Sequence, residues 1–253
     1  MTPSPELAAA LDAAEAAARV IRELYARNLA VRLKEDKSPV TEADVRAEEA
    51  IRGVLQARFP AHAFYGEETG RSGGGDALWL VDPIDGTKAF VREYPMFSTQ
   101  IALMRGGRLV LGVSSAPLYG ELAFAERGAG AWLNGRPLKV SAVASLEAAA
   151  VSAGNLKSLA SGPGWARYGA LVARVNRIRG YGDFLHYHLL AAGKIDAVIE
   201  SDVNILDIAA LAAIVEEAGG RFTALDGAPV GLGTTSVLAA NPALHALLRA
   251  ALG

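Results

Sequence analysis

Three textures of apolar and polar residues follow one another along the chain. The first is helical. Ser4-Pro5-Glu6 supplies a capping hydroxyl, a proline at the first helical position and an acid in the first turn, and the Ala-rich stretch behind it predicts a helix to about Arg27. A second helix is predicted from Thr41 to about Ala57, stopping before Phe59-Pro60 because the residue ahead of a proline disfavours helical backbone. The second texture is strand-like. The apolar run 77–81 predicts a buried strand ending at Asp82, and runs 98–104 and 109–116 predict two more, joined by a hairpin at Arg105-Gly106-Gly107-Arg108. Runs 121–125 and 130–133 follow, with Asn134-Gly135 as a hairpin signal. Together they predict an antiparallel sheet.

From about Ala148 the two textures alternate. Strands are expected at 149–152 and 197–200, and helices at 184–192, 207–218 and 242–252. Alternation of this kind predicts a second sheet flanked by helices. Ser72-Gly73-Gly74-Gly75 reads as a short flexible loop, and no linker is long enough to separate independent domains. The expected division is an N-terminal α+β part, 1–146, packed closely on a C-terminal α/β part, 147–253, as one catalytic unit.

Composition narrows the function classes. A chain of 253 residues can bury a sizeable core. Its net charge of −2, with no Lys/Arg run, gives no reason to expect direct nucleic-acid binding or an anionic membrane partner. It has no cysteine, so thiol catalysis and thiolate metal sites are excluded and any metal must be held by oxygen or imidazole. Neither a secretory signal nor an apolar run of membrane-spanning length is visible, so the expected location is the cytoplasm.

The candidate chemistry is acidic. Thr41-Glu42-Ala43-Asp44, Gly66-Glu67-Glu68, Asp82-Pro83-Ile84-Asp85-Gly86-Thr87 and Leu206-Asp207 each carry carboxylates. Three have ordinary readings: Thr41 with Asp44 is close to a capping box, Gly66-Glu67-Glu68 is a polar turn, and Asp207 favours a helix dipole. The segment 82–87 is different, because a turn explains its proline and glycine but not two acids at the end of an apolar strand. Carboxylates three residues apart in a tight turn can converge on one cation, with the Ile84 carbonyl turned toward the same point, which is the hard-oxygen ligation that suits Mg²⁺. Gly86 allows close backbone approach, and the N–H groups of Gly86 and Thr87 open a short helix expected to begin at Lys88, a phosphate-binding arrangement.

In the order and spacing of these motifs, and in Asp207-Ile208-Ala209-Ala210 with the later Glu217-Ala218-Gly219-Gly220, the chain resembles the inositol monophosphatase family over nearly its whole length. The resemblance implies a layered αβαβα sandwich, usually dimeric, hydrolysing a small-molecule phosphate ester with two or three Mg²⁺ per active site and sensitive to Li⁺. Carried onto this chain, it implies that Glu67, Asp82 and the Ile84 carbonyl hold one metal, and that Asp82 bridges to a second completed by Asp85 and Asp207. Glu68 and the water network near Glu67 would assist a third. Thr87 and Asp44 would orient and deprotonate the attacking water, with Glu67 counted among the catalytic residues, and the Gly86 and Thr87 amides would hold the phosphate. One departure is Leu206, where family members commonly carry Trp.

For the substrate alcohol, Glu200 lies seven residues before Asp207, where the family's inositol phosphatases place a glutamate. Tyr181-Gly182-Asp183 resembles the histidinol-phosphate phosphatase branch instead, and two carboxylates near the leaving group favour a cationic amino alcohol. Asp183 also reads as a cap for a helix starting at Phe184. His186 and His188, two apart on a helix, point to different faces and predict packing rather than a shared metal site. Lys34 or Lys37 is a candidate for the site mouth, and Ser152-Ala153-Gly154-Asn155 for the pocket lining. A sugar bisphosphatase, a nucleotide 3′-phosphatase and a non-catalytic protein binding transcription machinery are the competing functions.

Overall fold

The structure, a computed structural model, describes residues 2–27, 30–33 and 39–253, so Lys34 and Lys37 lie outside the described residues. The Ser4 hydroxyl accepts from Leu7 N at 3.1 Å and starts α1 (Pro5–Leu24), which ends earlier than the sequence predicts because Tyr25 turns to extended backbone. Short strands β1 (Arg32–Leu33) and β2 (Pro39–Val40) pair antiparallel ahead of α2 (Glu42–Arg58), which Thr41 caps.

A large sheet follows: β3 (Ala63–Gly66), β4 (Gly70–Ser72), β5 (Ala77–Asp85), then the short helix α3 (Thr87–Val91), β6 (Ser98–Arg105), β7 (Arg108–Ala116), β8 (Glu121–Glu126), β9 (Gly130–Leu133) and β10 (Arg136–Pro137). Its eight strands lie in the order β10-β9-β8-β7-β6-β5-β3-β4. The antiparallel expectation holds for every pair but one: β3 runs parallel to β5. The apolar pattern does not mark β3 or β4, which have four and three residues and hold a glycine each.

The second sheet is built from β11 (Ala150–Ala153), β12 (Arg177–Arg179), β13 (Ala197–Ser201), β14 (Arg221–Thr223) and β15 (Ser236–Ala240), ordered β12-β11-β13-β15-β14. Its helices are α4 (Lys157–Ala160), α5 (Gly164–Val172), α6 (Asp183–Ala191), α7 (Ile205–Glu217) and α8 (Pro242–Leu252). β11 is parallel to β12 and β13, and the remaining pairs are antiparallel.

Alternation along the strands builds the layers. Trp79 and Val81 of β5 pack with Leu7, Ile21, Ile51 and Leu55 of α1 and α2, whereas Leu78 and Leu80 face Phe184, Leu190, Ile208 and Leu211 of α6 and α7. On β13, Val198 joins that middle cluster while Ala197 and Ile199 pack with Tyr168, Leu244 and Leu248 beneath α5 and α8. The order is therefore αβαβα. It explains why 77–81 reads as a continuous apolar run: a strand covered on both faces needs apolar residues at every position.

The middle layer lies very close to the large sheet. A Cβ on Gly112 of β7 would stand 2.8 Å from the Ala210 Cα of α7, with the Ala210 carbonyl nearer still. Gly112→Ala is expected to cost about 1–3 kcal/mol through overpacking, lowering the melting temperature by roughly 2–4 °C per kcal/mol for a chain of this size. An unchanged thermal unfolding curve would show that α7 can move off the sheet.

Candidate functional site

The acids meet where β5 ends, at one edge of the middle layer. Between Asp82 and Asp85 the register of β5 against β6 shifts, so the strand bulges while still pairing. The bulge is held from inside and behind: Ile84 N donates to Asp82 Oδ1 at 2.9 Å, and the Thr99 hydroxyl donates to the Pro83 carbonyl at 2.8 Å. Gly86 turns the chain with φ 96°, a left-handed conformation open to glycine, and a Cβ there would meet the Met96 carbonyl at 2.7 Å. Helix α3 begins at Thr87, one residue before the sequence predicts.

Asp207 enters from the N-terminus of α7, which starts at Ile205 rather than Asp207. Its carboxylate accepts from Asn204 N at 3.0 Å, and Leu206 N donates to Asn204 Oδ1 at 2.7 Å, making a capping box. Asp44 is built the same way at the start of α2: Thr41 N and the Thr41 hydroxyl both donate to its Oδ2 at 2.7 Å. Its other oxygen, Oδ1, accepts from the Thr87 hydroxyl at 3.0 Å, and that hydroxyl lies 3.1 Å from the Ile84 carbonyl. In both cases the capping reading and the site reading hold together, because the cap fixes a carboxylate that also faces the site.

Carboxylate oxygens of Asp82, Asp85 and Asp207 lie within 4.8 Å of one another. Burial is the first cause of their raised pKa values, and the acids add to it. Asp82 is pushed well up by burial, then by Glu67, Asp85 and Asp207. Asp85 is pushed well up by burial, then by Asp207, Asp183, Glu200 and Glu67. Asp207 rises to about 6, burial and Glu67 outweighing its bonds from Asn204. Asp44 is raised by burial against the opposing bonds from Thr41 and Thr87. Glu67 raises all four, so its charge acts across the whole cluster.

The turn at Glu67 is held by a residue that the sequence does not single out. Glu48, buried on α2 one turn after Asp44, accepts from Glu68 N at 2.7 Å and from Thr69 N at 3.1 Å, and also from the Thr69 hydroxyl. A side chain at Gly66 would collide with the Glu48 carboxylate. The available signal was two acids four apart among Ala43, Ala47, Ile51 and Leu55, on the buried face of α2.

Glu200 is buried at the opposite rim. Its Oε1 accepts from Asn155 N at 3.1 Å and its Oε2 from the Tyr187 hydroxyl at 2.7 Å, while His186 Nε2 lies 3.2 Å from Oε2 on a poorly aligned approach. Burial pushes its carboxyl up, but His186, Tyr187 and Asn155 together bring it below the usual value. Gly154 has no room for a side chain beside Glu200, so the segment 152–155 supports that glutamate. Asp183 corrects the capping expectation. It is itself the first residue of α6, Gly182 stands at the cap without a side-chain bond, and Asp183 takes φ 45°, in the left-handed region. Its exposed carboxyl is raised by desolvation and then by Glu200, with His186 opposing. Leu206 is buried in the middle cluster.

Three carboxylates in mutual reach, with a fourth acting on each of them, suit a divalent ion taking hard oxygen ligands. A hydroxyl held against a buried carboxylate stands beside them, and the Gly86 and Thr87 N–H groups open a helix, where no carbonyl one turn back can accept them. Comparison with known proteins agrees. The profile described as the inositol monophosphatase family matches residues 3–253. A histidinol-phosphatase of Chlorobaculum parvum is 37% identical over 99% of this chain and 97% of its own, and one of Mycobacterium tuberculosis is 41% identical over 95% of each. The extragenic suppressor protein suhB of Bartonella henselae has the same fold, with a TM-score of 0.89 at 33% identity over 97% of both chains.

Proposed function

Because the chain belongs to the inositol monophosphatase family, whose chemistry is the hydrolysis of phosphate monoesters, we propose that it is a Mg²⁺-dependent phosphatase acting on the phosphate ester of a cationic amino alcohol, histidinol phosphate. The observation that carries the phosphatase reading is the convergence of Asp82, Asp85 and Asp207 beside the Thr87–Asp44 pair. Asp82, Asp85 and Asp207, with Glu67 and the Ile84 carbonyl, would hold the metal ions, Glu68 standing by as an accessory. When bound, Mg²⁺ supplies a water of lowered pKa and neutralises charge on the phosphate and the leaving oxygen.

The chain's own groups do the rest. The Thr87 proton faces Asp44 Oδ1, which leaves a lone pair on Thr87 Oγ1 to accept from the attacking water. As the water attacks phosphorus, its proton passes to Thr87 and the Thr87 proton to Asp44. Burial makes Asp44 a stronger base than an ordinary carboxylate. Backbone N–H groups of Gly86 and Thr87 orient the phosphate.

The amino alcohol is supported by the carboxylate pair. Asp183 and Glu200 each raise the carboxyl of Asp85, so both act on the acid cluster from close by. An ammonium between them would form charge-assisted hydrogen bonds that a neutral polyol cannot match. Phosphate release should be measured with and without Mg²⁺ on histidinol phosphate, inositol 1-phosphate, fructose 1,6-bisphosphate and adenosine 3′,5′-bisphosphate. Histidinol phosphate is expected to be preferred, and Asp183→Ala should reduce its advantage over inositol 1-phosphate about tenfold or more, the worth of one hydrogen bond to a charged group. Unchanged discrimination in D183A would remove the carboxylate pair from the argument.

A further inference from the structure

Helix α6 is buried on nearly all sides between the two sheets, yet it carries two histidines that the hydrolysis does not use. His186 and His188 are 0% and 1% exposed. Two residues apart on a helix turning about 100° per residue, they leave it on opposite faces, and each reaches a different sheet. His186 goes to the smaller one: Nδ1 lies 3.3 Å from Ser152 Oγ on β11, and Nε2 lies 3.2 Å from Glu200 Oε2 on β13. His188 goes to the larger one: Nε2 lies 2.9 Å from Ser114 Oγ on β7, and Nδ1 lies 2.7 Å from Glu121 Oε2 on β8.

The donors and acceptors run in the same sense along both chains. A carboxylate oxygen only accepts, so the imidazole nitrogen facing Glu200 or Glu121 carries a proton. Ser152 Oγ receives Tyr181 N–H at 3.2 Å, and Ser114 Oγ receives Gln100 Nε2–H at 3.1 Å. Each serine thus stands between an N–H donor and an imidazole nitrogen, so N–H group, hydroxyl, ring and carboxylate follow in the same order in both chains, the His186–Glu200 step being the poorly aligned one. Order Ser, His, Glu is that of a hydrolytic triad, but both serines are 0% exposed, so neither can meet a substrate. What remains is mechanical. The His188 chain continues through Gln100, whose Nε2 also donates to Ser98 Oγ at 2.7 Å. Gln100 and Ser98 are the cross-strand partners of Asp82 and Asp85. The His186 chain ends on Glu200.

We propose that His186 is a positioning residue for substrate selection, aiming Glu200 at the substrate's ammonium, while His188 anchors the same helix to the strand pair that carries Asp82 and Asp85. This rests on the amino-alcohol reading given above. The two histidines divide the labour by face. Loss of the His186 chain frees the Glu200 carboxylate and the helix start at Asp183. Loss of the His188 chain lets the helix and the acid cluster shift against each other.

The test is steady-state kinetics of the full chain with Mg²⁺ on histidinol phosphate and on inositol 1-phosphate, with melting curves alongside. His186→Leu is expected to raise KM for histidinol phosphate tenfold or more, to leave kcat within about twofold, and to leave both parameters for inositol 1-phosphate within about twofold. His186→Gln, which restores a donor toward Glu200, should recover most of the loss. His188→Leu should instead lower kcat for both esters by a similar factor. Should H186L fail to fold, Ser152→Ala, which removes only the hydroxyl that orients the imidazole, is read in its place with the same selective KM rise expected. Equal KM losses on the two esters, a fall in kcat alone, no change, or no recovery in H186Q would overturn the proposal. A wild-type enzyme that prefers the neutral ester would instead overturn the amino-alcohol reading, and that result is read before any variant is made.

Discussion

Asp85→Asn is expected to cut turnover by at least about a thousandfold and, without metal, to make the protein more stable than the wild type. Both effects come from one charge. Asp85 sits among Asp207, Asp183, Glu200 and Glu67, and its carboxyl is pushed well above the usual range by burial and by those four groups. Asparagine keeps the shape and the strand pairing with Ser98 but removes the repulsion. With metal bound the same charge becomes an attraction. A unit charge pair about 4 Å apart at an effective dielectric of 20 is worth about 4 kcal/mol, or about three decades in rate. Phosphate release with Mg²⁺ measures the first effect and thermal unfolding in chelator the second. An active D85N enzyme would contradict the assignment, and a D85N protein less stable than wild type in chelator would show that the charge is not a burden to the fold.

The second large effect is a pH-dependent response to metal. Asp207 rises from 3.8 to about 6 in the folded, metal-free protein. A folded-state value above the unfolded one means that the folded protein binds the proton more tightly. The resulting stability is fully present below pH 3.8 and is lost as pH rises through about 6. For Asp207 alone a shift of this size corresponds to on the order of 3 kcal/mol, and Asp82 and Asp85 shift in the same direction. His62 and His245, whose values are lowered by burial, contribute the opposite slope near neutral pH. They lie outside the acid cluster and act equally with and without metal, so the informative quantity is the difference between the two melting temperatures.

Mg²⁺ at about a hundred times its dissociation constant adds about 2.7 kcal/mol, or roughly 5–10 °C for a chain of this size. It binds only the deprotonated cluster. The rise in melting temperature on adding Mg²⁺ is therefore expected to be several degrees at pH 8 and to shrink toward pH 5. A rise of equal size at both pH values would mean that the metal does not displace protons from these acids.

Much of this was legible from residues close in the chain. The Ser4 cap, the Pro242 helix and the hairpin at Gly106-Gly107 are local events, decided within a turn or two of backbone, and the structure has them where the sequence predicts. The acids of the segment 82–87 stood out because a turn alone gives no reason for them. Asp183 was harder. A residue before a helix caps it by default, and only the backbone at φ 45°, with Gly182 in the capping place, shows that Asp183 begins the helix instead of capping it. Glu48, His186 and His188 gave almost no signal. A buried polar residue looks like any surface residue until its partner is known, and the partners of His186 and His188 lie 34 and 74 residues away.

The sequence by itself therefore determined helices α1–α3 and α6–α8, strands β5–β9, β11 and β13, the donor chemistry of the site and the family. Caps, turns and apolar periodicity act between near neighbours, and the acids are named in the chain. Only the tertiary structure decided that β3 lies parallel beside β5, that Glu48 holds the Glu67 turn, and that α6 is bonded to both sheets. Each of these depends on which distant segments share a face, and that is settled by packing five layers together, when every buried donor and acceptor must find a partner across the fold.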